Sequence, residues 1–458
     1  MRRLTTSEIA LACGGEIVSG PGDAAVCRIS TDSRAAGAGD CFFALRGGHF
    51  DGHDFARAAA ASGAAAVVVE REIAGAEGTV VIRVADALRA LQRLAAWYRA
   101  SLTIPVVAIG GSNGKTSTKE LVAAALSAGF CVAKTRGNLN NHIGAPLTLL
   151  EIGPEHGAAV VELGTNHPGE IAALAAIAAP TVGVITNIGP EHLEFFGDEA
   201  GVANEEGSLL DSLREGHAAV LNADDRWVGE LRSRARCRVI TGGLGHAADL
   251  RVEVMGATDS GQRLRAHAGG ESAEFDLPLH GNHMAQNAAL AMATGLALGL
   301  RLGAMAASMG GVTLPSGRMR CVARDGIRMI DDSYNANPGS MRAALGHLAG
   351  FTGRRIAVLG TMGEMGAGAA ALHREVGGDV RRLGIDLLVA VGPFSGDYRS
   401  GAGGGTAVFE DVAGAVAFLR GEVRAGDTVL VKASRAAKFE LIAEALGFGA
   451  GCWEGAKC

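Results

Sequence analysis

The sequence predicts an α/β protein of three domains. Three observations point there. The chain has 458 residues, about three times the roughly 150 residues of a typical domain. From about residue 104, short apolar runs alternate with helical patterns, the signature of a mostly parallel sheet covered by helices. A second alternation of the same kind begins near Thr313. The expected organisation is a small α/β N-terminal domain over 1–103, a central domain with a phosphate loop and parallel sheet over 104–312, and a C-terminal Rossmann-like domain over 313–458. Composition supports packed cores. Hydrophobic residues make up 48% and charged residues 20%, with mean hydropathy +0.21, which excludes a disordered chain. Glycine is abundant at 68 residues against 11 prolines. Without a Gly-X-Y period it reads as punctuation between apolar runs, as in enzymes with backbone-lined ligand loops.

In the first block, strands are expected at 41–45, 65–69 and 80–84 and a helix at 86–100. The loop Thr31-Asp32-Ser33-Arg34 and the turn Arg46-Gly47-Gly48 lie between them. The second block opens with an apolar run at 104–109 that ends in Gly110-Gly111 and reads as a buried parallel strand. Similar runs lie at 158–161, 182–186 and 218–221, and a helix at about 286–300 closes the block. In the third block, strands are expected at 355–359, 387–391 and 428–431. The Gly/Ala stretches at 366–371 and 401–405 read as loops.

Lys and Arg total 42 and Asp and Glu 48, for a net charge of -6. No basic block or basic aromatic stripe is present, so no nucleic-acid partner is expected. Anions must then be bound by a few local cations and backbone N–H groups, often with Mg²⁺. Eight cysteines, at 13, 27, 41, 131, 237, 321, 452 and 458, form no CxxC. They suit reduced thiols in a cytosolic protein better than a zinc site or disulfide framework. Glu8 interrupts any apolar N-terminal stretch, so no signal peptide is expected. Two uncharged runs, 171–190 and 277–300, reach the ~20 residues that span a bilayer. Pro180 splits one, and His280, Asn282, His283, Gln286 and Asn287 fill the other. Both read as core, so no membrane span and a cytoplasmic location are expected.

The most informative segment is Gly110-Gly111-Ser112-Asn113-Gly114-Lys115-Thr116-Ser117. It follows a predicted strand and precedes an apolar helix predicted over 118–126. Successive N–H groups and the helix N-terminus then face a phosphate chain. Lys115 is placed to bind the β- and γ-phosphates, and the Thr116 hydroxyl to ligate Mg²⁺. The pattern GxxxxGK[ST] would need Gly where Ile109 stands, so this loop is one residue tighter. The competing reading, a Gly-rich turn with a solvated Lys, explains the register of strand, loop and helix less well.

Other groups are individually weaker. Glu162 ends a predicted strand beside the loop, where a carboxylate can hold Mg²⁺ directly or through water; alone it would read as a solvated strand end. Thr186-Asn187-Ile188-Gly189-Pro190-Glu191-His192 follows the next strand, and His192 suits a second cation or substrate. Asn138, Asn140, Asn141 and His142 crowd one loop that fits either polar recognition or turns. Asn222-Ala223-Asp224-Asp225 fits a capped helix start or a site. His283 and Asn287 share one helical face, for a nucleobase edge or for core packing. Asp331-Asp332-Ser333-Tyr334-Asn335-Ala336-Asn337-Pro338, Lys432-Ala433-Ser434-Arg435 and Arg318 place polar groups in the third block. Cations in a different block from the phosphate loop point to a nucleotide closed upon by a moving domain.

Together these residues resemble the Mur ligases. The resemblance rests on the loop 111–117, Glu162-Leu163-Gly164, the 186–192 and 221–225 segments, His283 with Asn287, and Gly317-Arg318-Met319, in order along nearly the whole chain. Asn166-His167-Pro168-Gly169-Glu170-Ile171, Asn138-Leu139-Asn140-Asn141 and the 331–338 segment resemble the branch that joins D-Ala-D-Ala to UDP-N-acetylmuramoyl-tripeptide. The resemblance implies an ATP-dependent ligase that forms an amide bond through an acyl phosphate in peptidoglycan synthesis, with ATP and Mg²⁺ as cofactors and a monomer as the expected state. It implies that Thr31, Asp32, Ser33 and Arg34 form a uridine-binding loop in the first domain, and that the third domain binds D-Ala-D-Ala. Gly111, Ser112, Asn113, Gly114, Lys115, Thr116 and Ser117 match the nucleotide loop. Glu162 and His192 match two metal positions, Asn287 and Arg318 nucleotide contacts, and Asp332 a residue near ATP. Asn138, Asn141 and Asn335 fall on the substrate side.

Two positions depart from the family. Glu206 stands where the family carries a Lys modified to a carbamate, whose working end is also a carboxylate. Glu206 either keeps that electrostatic role, as a metal-supporting and catalytic residue, or is a surface helix residue beside an altered site. Met284 replaces a common Asn. The alternatives are a sister ligase adding another amino acid, whose Asp-Asn-Pro-Arg motif is absent here, a folate polyglutamate ligase, which lacks the uridine loop, or a non-ligase P-loop NTPase.

Overall fold

The computed structural model describes residues 1–48, 50–76, 78–258 and 260–449. Cys452 and Cys458 lie outside these. The other six cysteines form no disulfide among the described residues.

Three large sheets organise the chain, beside a two-stranded one that pairs Leu4–Thr5 with Ala25–Val26. The N-terminal sheet runs Glu16–Ser19, Val80–Arg83, Ala66–Val69, Asp40–Phe43, Arg28–Ser30. It is parallel except for Glu16–Ser19. Its helix Ala87–Ala100 starts where Asp86 accepts the Arg89 N–H as an N-cap.

The central sheet has nine strands in the order Val132–Lys134, Ala158–Glu162, Val106–Gly110, Val182–Ile185, Ala218–Asn222, Arg238–Gly243, Leu250–Thr258, Gly261–Ala268, Glu271–Leu277. The first seven pair in parallel. The last two extend the sheet antiparallel, an addition the sequence reading missed. These edge strands carry cross-strand Arg263–Asp276 and Arg265–Glu274 pairs in place of an apolar run. Chain order reverses at Val106–Gly110: the next two strands in sequence lie on one side of it, and the following two on the other. Ligands bind at the carboxyl edge of such a switch point.

Helix Lys115–Leu126 begins three residues before the expected start. Helix Asn282–Ala297 lies against it and covers 282–297 rather than 286–300; polar residues in the first turn masked its onset, and a further helix, Leu302–Ser308, follows. The uncharged run 171–190 is helix Glu170–Ala178 plus strand Val182–Ile185. Among the described residues no helix is long and apolar enough to cross a membrane.

The C-terminal sheet runs Arg320–Arg324, Ile327–Asp331, Asp427–Lys432, Arg354–Leu359, Leu387–Val391, Thr406–Phe409, parallel after the first pair. One expected loop, 366–371, is helical throughout, whereas of 401–405 only the first two residues are helical and 403–405 form the expected loop. Residues 366–368 form one 3₁₀ turn leading into helix Ala369–Arg382, and Gly401 and Ala402 end helix Ser395–Ala402. Glycine here serves close helix packing: a Cβ on Gly401 would lie 1.9 Å from the Arg374 carbonyl oxygen.

Among the contacts that join the domains, two junctions rest on a buried cationic side chain or on imidazoles. At the first, the Tyr98 hydroxyl donates to the Ile152 carbonyl at 2.6 Å. The buried Arg99 donates to the carbonyls of Ala178 (2.9 Å), Ala179 (2.9 Å) and Leu102 (3.0 Å). At the second, His280 and His283 of the central domain meet His347 of helix Pro338–Ala349. The His280 and His347 rings stack 5.7 Å apart. Burial pushes His283 down to about 4, with Asp332 and Lys432 opposing one another nearby. Burial, with the neighbouring His283, His280 and Arg328, pushes His347 down to about 3.

Removing the first junction's cation strands three carbonyls. Arg99→Ala should cost about 3 kcal/mol, read as a lower thermal midpoint; an unchanged midpoint would contradict the junction's role. At the second junction, the unfolded chain binds protons below about pH 6.5 while the folded imidazoles stay neutral. Stability should therefore fall as pH drops from about 6.5 toward 4. His347→Gln should flatten that slope in thermal unfolding across this range, and an unaltered slope would argue against it.

Candidate active site

A cavity of 1380 Å³ opens between the central and C-terminal domains at the carboxyl edge of the switch-point strand. One wall is the loop between strand Val106–Gly110 and helix Lys115–Leu126. Gly111 has φ +111°, and a Cβ there would lie 2.3 Å from Thr186 Oγ1, so only glycine fits. The loop is clasped from behind. Asn187 accepts from Ser112 N through its carbonyl (2.8 Å) and from Asn113 N through Oδ1 (3.1 Å). Thr186 Oγ1 and Asn187 Nδ2 donate to the Asn113 carbonyl at 2.7 and 2.8 Å. Ser112 Oγ accepts from Gly189 N at 2.9 Å, and Asp225 in turn accepts from Ile188 N at 2.8 Å. Lys115, Thr116 and Ser117 open the helix, and its first N–H groups have no intrahelical acceptor. They line the cavity.

Charge is concentrated under this loop. Lys115 Nζ donates to the Gly111 carbonyl and lies 3.6 Å from Glu191 and 3.9 Å from Glu206. Burial works against its charge, but Glu191, Glu206 and Glu162 outweigh that and raise its pKa. Glu162, at the end of strand Ala158–Glu162, is 1% exposed, so the solvated reading fails. Its Oε1 accepts from Thr116 Oγ1 (3.0 Å) and Asn140 Nδ2 (2.9 Å). The fully buried Lys119 stands 3.6 Å from its Oε2 and donates to the Gly137 carbonyl.

Glu206 is fully buried on helix Glu199–Asp211. The surface-residue alternative is therefore wrong. Its Oε2 accepts the Gly111 N–H at 2.7 Å. It sits behind the loop rather than on the cavity wall, as does Gly111 itself. Burial pushes Glu206 up to about 7, against the pull of Lys115. Its neighbour Glu205 accepts from Gly169 N (2.7 Å) and Ile171 N (2.8 Å), fixing the start of helix Glu170–Ala178.

His192 reaches the cavity with φ +47°. Its Nδ1 pairs with Glu364 of the C-terminal domain, and its Nε2 lies 3.9 Å from Glu191. Asn287 lies directly under Gly114, where a Cβ would approach its Nδ2 to 3.0 Å. Met284 is buried beside it, its sulfur 3.9 Å from Asn287 Nδ2. Across the cavity, Arg318 stacks 4.1 Å over the Tyr334 ring. Asp332 accepts from Lys432 Nζ (2.5 Å) and Met319 N (3.0 Å). Lys432 also bonds the Asn335 carbonyl, and Asn335 Oδ1 takes Ala336 N. Asn138 and Asn141 line the cavity mouth; Asn141 Oδ1 caps the start of helix Gly144–Leu150 by accepting Gly144 N at 2.9 Å. Thr31, Asp32, Ser33 and Arg34 lie in the N-terminal domain and are not part of this wall. There Asp32 grips Arg34 through two bonds of 2.9 and 2.7 Å.

Sequence reasoning missed Lys119 and Glu364 as site residues, and it named Glu191 and Asn140 within motifs without giving either a role of its own. A Lys inside a helix expected to be apolar was a usable signal for Lys119. Glu364 had none, because its contact is 172 residues distant.

Family models match in the same order. The Mur ligase family catalytic domain matches residues 26–99, the Mur ligase middle domain 109–295, and the Mur ligase glutamate ligase domain 317–435. The chain belongs to the Mur ligase family. The UDP-N-acetylmuramoyl-tripeptide–D-alanyl-D-alanine ligase of Escherichia coli is 36% identical over 97% of this chain and 99% of its own length. A crystal structure of MurF from Acinetobacter baumannii superposes with TM-score 0.90 at 33% identity, over 97% of this chain and 99% of that one. MurF ligase from Thermotoga maritima in complex with ADP superposes at 0.81 with 27% identity, over 91% and 96%. Like those Mur ligases, this chain is a three-domain α/β protein.

Gly111→Ala forces a side chain into Thr186 at a positive φ. It should weaken binding of a nonhydrolysable ATP analogue by about tenfold or more, roughly 1.4 kcal/mol, in calorimetric titration. Wild-type affinity in that variant would contradict this placement of the loop.

Proposed function

We propose that this Mur ligase joins D-alanyl-D-alanine to UDP-N-acetylmuramoyl-tripeptide, with conversion of ATP to ADP and phosphate. The observation that carries the reading is the pinned loop at Lys115, opening into a cavity between two domains, in a chain similar over nearly its full length to ligases of that name. In this reading residues 1–103 hold the UDP end through Thr31, Asp32, Ser33 and Arg34. Residues 104–312 bind ATP, and 313–458 bring the dipeptide. Substrates of this kind, a nucleotide-linked precursor and ATP, belong to the cytoplasm.

Magnesium fits the donor set. Glu162 Oε2, Glu191 Oε1 and Glu206 Oε1 are buried with no hydrogen-bond partner among the described residues. Among the described residues no three His, Cys, Asp or Glu side chains form a ready-made cage. Mg²⁺ commonly binds through one or two carboxylates together with phosphates and water. Thr116 and Glu162 would hold it at one position and His192 at a second, with Glu206 supporting from behind the loop. When bound, it would supply charge neutralisation at the phosphates.

The remaining chemistry falls to the chain's own groups. A carboxylate and ATP are both anionic, so Lys115 and the first N–H groups of helix Lys115–Leu126 must offset their repulsion. The tripeptide carboxylate attacks the γ-phosphorus and ADP leaves, giving an acyl phosphate. The dipeptide amine then attacks the acyl carbon, and phosphate departs from the tetrahedral oxyanion. An α-amino group has a pKa of about 7.7–8.0, so little help is needed to free its lone pair. Asn287 and Arg318 flank the nucleotide, Asp332 holds Lys432 at the closing face, and Asn138, Asn141 and Asn335 lie toward the peptide. Closure excludes water, which would otherwise hydrolyse the acyl phosphate.

Phosphate release should require both the UDP-muramoyl tripeptide and D-Ala-D-Ala. Lys115→Ala should lower it roughly thousandfold while circular dichroism stays unchanged. Release that ignores both acceptors would favour a hydrolytic NTPase instead.

A further inference from the structure

We propose that Glu364 is a positioning residue that prepares His192 as a metal ligand when the C-terminal domain closes; this rests on the functional reading above. The contact joins two domains. Glu364 Oε2 pairs with His192 Nδ1, and Glu194 N donates to the Glu364 carbonyl at 3.3 Å. Both partners occupy left-handed backbone, Glu364 at φ +60° and His192 at φ +47°, two of the six non-glycine residues with positive φ among the described residues. Such conformations persist where the surroundings over-determine them, and they cluster at functional contacts.

The Glu364 loop is braced from behind. His373 Nε2 accepts Met362 N at 2.9 Å, with its Nδ1 on the Ala369 carbonyl. Ser434 Oγ accepts Gly363 N at 2.8 Å, and Ser434 N donates to the Thr361 carbonyl at 2.9 Å. Met362 and Met365 are buried on either side. Glu364 is thus presented by a rigid frame, although its own side chain is 44% exposed.

A carboxylate only accepts hydrogen bonds, so the His192 hydrogen is on Nδ1. That leaves Nε2 facing Glu191 Oε2 across 3.9 Å, beside Lys115 and the phosphate loop. A carboxylate on the far nitrogen of a ligating imidazole fixes ring orientation and tautomer, and its loss commonly weakens metal binding 10–100-fold. Because this carboxylate belongs to the other domain, the ligand is complete only in the closed arrangement.

The test is Mn²⁺ titration followed by electron paramagnetic resonance, with a nonhydrolysable ATP analogue bound to the full-length enzyme. Glu364→Gln keeps the shape and removes the charge, and should weaken Mn²⁺ binding about tenfold or more. In a His192→Ala background the same change should cause no further loss, since Glu364 acts through His192. Wild-type Mn²⁺ affinity in Glu364→Gln, or an equal loss in the His192→Ala background, would overturn the proposal. Acceptor-dependent phosphate release by the wild type, assayed on the same preparation, separates the two readings. Its absence would remove the ligase assignment, whereas the metal titration uses no acceptor and judges Glu364 alone.

Discussion

The charge around Lys115 constrains everything else in the site. Three buried carboxylates, Glu162, Glu191 and Glu206, face two ammonium groups, the fully buried Lys119 and the half-buried Lys115. An isolated buried charge costs several kcal/mol after relaxation, so such a cluster survives only if nearly balanced. Lys115 stays charged because its carboxylate neighbours outweigh its burial. Glu206 takes the opposite course, pushed toward neutrality by burial. The set is short of positive charge, and its oxygens that accept no hydrogen bond among the described residues are suited to a divalent cation brought in with a polyphosphate.

Backbone geometry makes that cluster possible. The reversal of strand order at Val106–Gly110 opens a crevice, and Gly111 lets the chain turn against Thr186 where no side chain fits. Asn187 and Thr186 consume the loop's rear-facing polar groups, so the helix N-terminus keeps its N–H groups for the cavity. Glu206 ties the base of the loop to helix Glu199–Asp211. The C-terminal domain adds Arg318, Asp332, Lys432 and Glu364 to the opposite wall.

Local pattern was legible in the sequence and long-range pairing was not. Apolar runs such as 387–391 reveal buried parallel strands because burial on both faces leaves nothing polar to confuse them. The antiparallel strands Gly261–Ala268 and Glu271–Leu277 escaped, since one face is solvated and charged. Gly401 misled because glycine that permits close helix packing looks like glycine that makes a turn; 366–371 are helical, while 403–405 do form the expected loop. Within the site, Lys115, Thr116 and Glu162 were readable from motif and strand end. Glu206 was open between two roles until its burial excluded the surface. The Lys119–Glu162 and His192–Glu364 contacts depend on which strand ends and domains meet, which no local spacing reports.

The central claim is that the pocket above Lys115 hands the terminal phosphoryl group of ATP to a peptide carboxylate. Oxygen-18 placed in the terminal carboxylate of the tripeptide tests it most directly. Transfer through an acyl phosphate predicts one labelled oxygen in each released orthophosphate, formed only when D-Ala-D-Ala is present. Unlabelled orthophosphate accompanying amide formation would contradict the account.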